Sequence, residues 1–392
     1  MDHTADQRRK LWGVLVSLAL LITVAIVLDC LPVNQDLPSD VLDSSTAVAD
    51  PDDTLPPDTT PQDTSDLTHT EETDPATGPS ETDDTQETTT PEPPVVDNTT
   101  FVLTFLGECS PGSPLGTSSF GSLNAMTNDK GTDYYFSNLR PILSSDDVTI
   151  AANTCIFTDN NMPSDKIECV APSTSASIYA GGSVEFLSLA APELSEYNAT
   201  SLSDTVMALN NVEIQSACDG QIAYFDNAGI RAAIVCLQLN KNLNTADDIK
   251  LIQDAKKSAD YVIVYFWGGD NNTHTPEEWL TATLRSFADA GASLVVGCGS
   301  GVLRPVEQYK SATIAYSLGT LLDGASLYHQ NATALLQLTL SKDNAGVITE
   351  KVDMIPCYVY KELWQPCLIS DPDDSQAVSA FLRGEALSPT DE

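Results

Sequence analysis

The chain has 392 residues, 42% of them hydrophobic, with 18 Lys and Arg against 56 Asp and Glu and a formal charge of −38. So acidic a chain, with no basic patch to neutralise phosphates, excludes nucleic acid as a partner. The length leaves room for one large folded unit beside segments that bury little.

Residues 1–10 end in Arg8, Arg9 and Lys10 and are followed by an uncharged run from Leu11 to Leu28. Such a run is long enough to cross a hydrocarbon core about 30 Å thick as a helix. Basic residues before it and acidic ones after it predict an uncleaved single-pass anchor over 11–29, with a cytoplasmic N-terminus and an extracellular C-terminal domain in the cell membrane. The competing reading is a cleaved signal peptide, but no small-x-small cleavage site closes the run. Leu28-Asp29-Cys30 is a faint lipidation signal, and Asp29 argues against it.

From 30 to 98, Asp, Glu, Thr and Pro dominate, and Lys, Arg and aromatic residues are missing. Such a stretch cannot bury enough apolar surface to offset its ordering entropy, so a disordered, extended spacer is expected. Much of the negative charge sits here and says little about the ligand of the folded part. Residues 370–392 form a second acidic end, expected to fray.

Between 99 and 369 apolar runs alternate with helical stretches. Strands are predicted over Phe101–Leu106, Val148–Ala152, Val184–Ala190, Ile230–Leu237, Tyr261–Phe266, Leu294–Val296, Thr313–Leu318 and Ala334–Leu340. Helices are predicted over Ser203–Leu209, Ala246–Ala259 and Pro276–Ala290; Asp247 and Asp248 sit near the start of the second, where the helix dipole favours anions. Alternating strands and helices predict parallel pairing in a layered α/β core. Glycine-rich turns are expected where strands end, at Gly107-Glu108-Cys109, Trp267-Gly268-Gly269-Asp270 and Gly297-Cys298-Gly299-Ser300-Gly301. Such folds place their chemistry at that edge.

The stretch from Leu103 to Gly112 (LTFLGECSPG) resembles the opening strand and metal loop of the CapA family of capsule and poly-γ-glutamate synthesis proteins. Tyr135–Asn153, Ala259–Asp270, Asp289–Gly297 and Tyr316–Thr320 resemble its following blocks, in order, through most of 99–340. The resemblance implies a four-layer αββα metallophosphoesterase-like sandwich, preceded here by the anchor and linker, and work on capsular or other envelope polymers in a bacterium.

The departures fall on the family's metal ligands. Glu108 replaces an Asp, and Cys155 stands for a Glu after the retained Asn153. Ala191-Pro192-Glu193 replaces Asn-Asn-His. Phe266 replaces a His before the retained Trp267 and Gly268, and the turn Gly297–Gly301 has lost both histidines of Gly-His-x-x-His. A dinuclear centre acidifies a bridging water and clamps the oxygens of an in-line displacement. Imidazoles and bridging carboxylates, held by outer partners, set its geometry. Glu108, Asn153, Glu193 and Asp270 are the remaining oxygen donors, enough for one hard cation such as Mg²⁺ or Ca²⁺. His274, a few residues past Asp270, is read as a solvated loop histidine, with a ligand role as its alternative. The expectation is therefore a non-catalytic protein without cofactor that binds an envelope polymer or supports synthesis-complex proteins. The alternative is a one-metal hydrolase of phosphate esters or γ-glutamyl bonds; a further non-enzyme reading is a plain surface spacer with a structural head.

Eight of the nine cysteines follow Cys30, and an even number outside the cytosol is read first as disulfides. Proximity in sequence pairs Cys357 with Cys367, Cys155 with Cys169 and Cys218 with Cys236. That leaves Cys109 with Cys298, a bridge across the emptied site. The alternative gathers Cys109, Cys155 and Cys298 with Glu108 around a Zn²⁺ ion, whose structural sites favour thiolates; no Cys-x-x-Cys pair supports it. Tyr265, Phe266 and Trp267 read as core packing beside the cleft, or as a platform for a sugar or peptide. Ser300 lacks the strand-to-helix setting of a nucleophile and is not assigned a catalytic role.

Overall fold

The structure is a computed structural model that describes residues 100–114, 122–160, 169–192, 194, 199–269, 272–324, 331–360 and 363–389. The expected anchor over 11–29 and linker over 30–98 lie outside the described residues, as do Glu193 and Asp270. Among the described residues no helix is long and apolar enough to cross a membrane.

In chain order the strands are β1 (Thr100–Ser110), β2 (Val148–Asn153), β3 (Ile156–Phe157), β4 (Val170–Ala171), β5 (Phe186–Leu189), β6 (Gln215–Cys218), β7 (Gln221–Asn227) and β8 (Ile230–Leu239). They continue as β9 (Tyr261–Gly268), β10 (Leu294–Cys298), β11 (Val306–Tyr309), β12 (Ala312–Ala315), β13 (Thr320–Asp323), β14 (Asn331–Lys342), β15 (Ile348–Val359) and β16 (Cys367–Leu368). An eight-stranded sheet runs in the order β16-β15-β14-β1-β2-β5-β6, with β13 also paired to β1. A six-stranded sheet runs β11-β12-β10-β9-β8-β7, and β3 and β4 form a small pair of their own. β1, β2, β5 and β6 are mutually parallel, as are β8, β9, β10 and β12, whereas β14, β15, β7 and β11 add antiparallel margins.

Period-two alternation sets the layers. Phe101, Leu103, Phe105 and Ile150 meet Ile234, Ile263, Tyr265 and Val296 between the two sheets. The alternate residues Val262, Val264 and Phe266 of β9 face the helices Ala246–Ser258 and Glu278–Ala290, against Ile252, Ala255, Leu284 and Phe287. The other face of the large sheet is covered by Leu123, Leu143, Ile178, Tyr179 and Leu209 from a further set of helices. The described residues are thus a mixed α/β fold of two sheets packed face to face, with helices outside each. Each fully buried large side chain contributes about 1.5–3 kcal/mol, so the three cores dominate stability.

Several expectations are corrected. Gly107-Glu108-Cys109 is not a turn: β1 runs through it to Ser110, with its register slipping against β2 between Phe105 and Glu108. Pairing with β13 lengthens the strand, because the Gly107 backbone abuts the Gly319 carbonyl, where a Cβ would sit 2.2 Å away. Gly297 and Cys298 likewise belong to β10, while β12 stops at Ala315, short of the expected Leu318. Pro276 precedes the helix it was expected to open, whose N-cap is Glu277.

The acidic C-terminal end does not fray through its described residues. Pro372–Leu382 is a helix, with Pro372 in its first turn and the Asp371 carboxylate accepting from the Asp373 and Asp374 N–H groups at 2.9 and 3.3 Å. Val378, Phe381 and Leu382 pack on Leu303, Ala332, Ala334 and Tyr358. Charge content misled the expectation, since three apolar residues at helical spacing suffice to dock the segment.

Candidate functional site

The C-terminal edges of the two parallel sheets are tied together at Leu318 and Gly319. The Leu318 N–H donates to the Gly297 carbonyl at the end of β10 (2.8 Å), and the Gly319 carbonyl accepts from the Glu108 N–H of β1 (3.0 Å). Gly319 has φ of 76°, a conformation that a residue without Cβ adopts freely. The ends of β1, β2, β9 and β10 therefore share one edge of the fold, and the expected site residues on them lie there.

Glu108 is half-buried on β1, opposite Thr320 of β13. The Thr154 hydroxyl approaches its Oε1 at 3.4 Å and shares a 2.5 Å hydrogen bond with the Ser110 hydroxyl. Asn153 is fully buried at the end of β2. Its Nδ2 donates to the Cys155 carbonyl (2.8 Å), and its Oδ1 accepts from the Tyr179 hydroxyl (2.9 Å), which also reaches the Cys109 carbonyl (3.2 Å). Asn153 thus fastens the β2 turn to the helix layer, with both ends of its amide engaged.

Phe266 occupies the place where the resemblance implies a histidine, and its ring does not face the cleft. It is buried on the helix side of the second sheet, over its cross-strand neighbour Gly297, where a Cβ would meet the ring at 2.2 Å. Trp267, on the opposite face, packs toward the sheet interface and against Gly299. Its indole N–H has no acceptor among the described residues. The expected aromatic cluster is therefore split: Phe266 is helix-side core, Tyr265 is inter-sheet core and Trp267 alone lies beside the turn. Ser300 is buried and donates to the Val302 carbonyl at 2.9 Å, holding the turn rather than facing a ligand. His274 is not a solvated loop residue. Its Nδ1 lies 2.7 Å from the Leu303 carbonyl and its ring packs edge-on to Phe381, 5.3 Å away.

The thiols are distributed by layer. Cys109 lies in the core beneath the helices and Cys298 in the core between the sheets, so the expected Cys109–Cys298 bridge is not formed. Regular alternation would put Cys109 on the same face as Phe105; the slip in β1 turns it to the other. Cys357 stands opposite Leu368 and Cys367 opposite Tyr358 on the next rung, which sends the two thiols to opposite faces. Cys218 packs on the helix-side core while Cys236 lies between the sheets. Cys155 and Cys169 sit together against Gly112, whose added Cβ would lie 2.6 and 2.8 Å from their sulfurs. Burial raises the thiols of Cys109 and Cys155 far above the ordinary range and pushes that of Cys236 up to about 12, so these are neutral at physiological pH.

Among the described residues the donor set does not fit a dinuclear centre. Among the described residues no three His, Cys, Asp or Glu side chains converge as metal ligands, and the zinc grouping of Cys109, Cys155, Cys298 and Glu108 is not assembled. Of the four expected oxygen donors, Glu108 alone offers a described carboxylate at this edge.

Sequence reading misses the strongest polar contact here. Arg304 is a fully buried guanidinium. It donates bidentately to the Glu277 carboxylate (Nη1 to Oε2 3.0 Å, Nη2 to Oε1 2.8 Å), and to the Thr273 carbonyl and hydroxyl, both at 2.9 Å. The contact binds the turn after β10 to the loop before the Glu278–Ala290 helix, beneath Gly269, whose Cβ would lie 2.8 Å from Nη1. No sequence spacing announces it, because the partners are brought together only when β9 and β10 pair.

A layered α/β protein with glycine-rich strand ends gathered at one edge is the class that the fold and site define. The family model described as "Bacterial capsule synthesis protein PGA_cap" matches residues 223–325. The chain is 35% identical over 98 residues to the PGA biosynthesis protein CapA of Bacillus subtilis (strain 168), covering 25% of this chain and 26% of that protein. It is 26% identical over 261 residues to the capsule biosynthesis protein CapA of Bacillus anthracis, covering 59% of this chain and 62% of that one. The chain is similar to CapA proteins over these stretches, and it spans less than two thirds of the length of these curated relatives. Among solved structures, a hypothetical protein from Thermus thermophilus superposes with a TM-score of 0.41 at 12% identity, over 65% of this chain and 99% of that one. Vps29 of Chaetomium thermophilum gives a TM-score of 0.23 at 10% identity, over 65% and 97%.

Proposed function

We propose that this protein serves the synthesis of poly-γ-glutamate or another capsular polymer at the bacterial cell envelope, by binding the polymer or its synthesis machinery rather than by hydrolysing it. In this reading it is a metallophosphoesterase-like domain whose metal ligands have been lost, held off the membrane by the N-terminal segment. Similarity to the CapA proteins supports the polymer. The observation that carries the non-catalytic reading is the fate of the position held by Phe266, where an aromatic hydrocarbon is packed over Gly297 inside a helix-covered core. Trp267, half-buried beside the turn, supports binding, since an indole offers a larger surface than a phenyl ring for a polymer to pack on. A polyanion would be repelled by a chain of charge −38, so binding is expected to need a bridging divalent cation.

The test pairs equilibrium binding of poly-γ-glutamate, with and without Mg²⁺ or Ca²⁺, with assays of a generic phosphodiester and of the polymer. Cation-dependent binding that Trp267→Phe weakens, without turnover, is expected. Metal-dependent turnover that vanishes in Glu108→Ala would establish the one-metal hydrolase instead.

A further inference from the structure

We propose that Cys155 and Cys169 form a disulfide that crosslinks the starts of β3 and β4 beside the end of β1. The two cysteines occupy equivalent positions, immediately before the parallel-paired Ile156 and Val170. The Ile156 N–H donates to the Cys169 carbonyl at 3.2 Å, which fixes their backbones side by side. Their sulfurs converge on one point: a Cβ added to Gly112 would lie 2.6 Å from the Cys155 Sγ and 2.8 Å from the Cys169 Sγ. Val170 is also bonded in both directions to Ser113, at 3.1 Å each, so Gly112 is held against the pair. Both thiols are buried. Of the four expected pairings this one has such convergence: Cys109 and Cys298 lie in different core layers, as do Cys218 and Cys236, and Cys357 and Cys367 point to opposite faces of their strands.

The oxidant is a disulfide donor of the thiol–disulfide oxidoreductase class. One protein thiolate attacks the donor S–S bond, giving a mixed disulfide and one donor thiol. The second protein thiolate then attacks the protein sulfur of that mixed bond, releasing the second donor thiol. Two protein thiols lose two electrons and two protons, and one donor disulfide gains them. Burial of both sulfurs places this exchange before the segment closes over Gly112; afterwards the bond is sealed from reductant. The staple does not depend on what the cleft binds.

The full chain, exported into an oxidising compartment, is denatured without reductant, alkylated, digested and mapped by mass. A peptide pair linking Cys155 to Cys169 is expected, lighter by two hydrogens than its reduced components and lost on reduction, with Cys109 and Cys298 alkylated in the same sample. Alkylation of both Cys155 and Cys169, or linkage of either to another cysteine, overturns the proposal. As an independent readout, reduction in denaturant followed by refolding under reductant is expected to lower the thermal midpoint of the unsubstituted chain but not that of the Cys155→Ser/Cys169→Ser double variant. An equal shift in both also overturns it.

Discussion

The Tyr265 hydroxyl donates to the Leu106 carbonyl at 2.7 Å, across the interface between the sheets and at the point where β1 slips its register against β2. A slip leaves a backbone carbonyl without its regular ladder partner, and Tyr265 supplies the missing donor from the opposite sheet. The contact thereby stabilises the distortion that turns Cys109 toward the helices. Tyr265→Phe keeps the ring and removes the donor. It is expected to cost about 1–3 kcal/mol, read from denaturant midpoints. An unchanged midpoint would mean that water or another donor satisfies Leu106.

Phe266→His restores the side chain that the family resemblance implies. The ring position is buried on the helix side, over Gly297, so an imidazole there is surrounded by hydrocarbon. Loss of about 1–3 kcal/mol is expected for a buried polar group without a partner. No gain of bound metal is expected by elemental analysis of protein purified without chelator. Stoichiometric metal in the variant would show that this position reaches the cleft.

Arg304 and Glu277 form a buried ion pair, their side chains 0% and 14% exposed. Removing one member leaves the other charge uncompensated, at a cost of about 3–5 kcal/mol. Arg304→Met and Glu277→Gln are each expected to lower the denaturation midpoint strongly. The double variant should be less destabilised than the sum of the two, which a double-mutant cycle measures.

Stability should rise on mild acidification, because of two carboxylates at the edge opposite the site. Burial pushes the Asp146 carboxyl up to about 6, against hydrogen bonds from Thr104 and Thr149 that lower it. Burial also pushes Glu185 up to about 7, although part of that residue remains in contact with solvent; the Thr149 N–H lowers it and the Asp146 charge raises it. A carboxyl whose folded pKa exceeds its unfolded value favours the folded state when protonated. The contribution is therefore full below the unfolded value of about 4 and is lost as pH rises through about 6 to 7. Urea midpoints at pH 5 and pH 8 should differ in that direction, and Asp146→Asn should narrow the gap. A gap that Asp146→Asn leaves unchanged would trace the pH dependence to other groups.

The elements whose apolar spacing is strongest are legible from local pattern alone. Ile230–Leu239, Ala246–Ser258 and Tyr261–Gly268 fall close to their expected spans, because continuous β-branched runs and helical periodicity are local properties. The strand Ile348–Val359 escapes such a reading, since charged residues interrupt its first half and its partner β14 supplies the hydrogen bonds. At the site, the loss of imidazoles is legible as composition. What Phe266, Asn153 and Ser300 do instead is not, because each is defined by a cross-strand or interlayer neighbour.

The sequence by itself determined the alternation of strands and helices, the resemblance to CapA proteins and the absence of histidine from the three glycine-rich segments. Those properties are written in residue type and spacing. Tertiary structure alone decided which cysteines meet, that Phe266 belongs to the core, and that Arg304 finds Glu277. A one-residue slip in β1 exchanges the two faces of a strand, and no local pattern reports a slip that a tyrosine on another sheet stabilises.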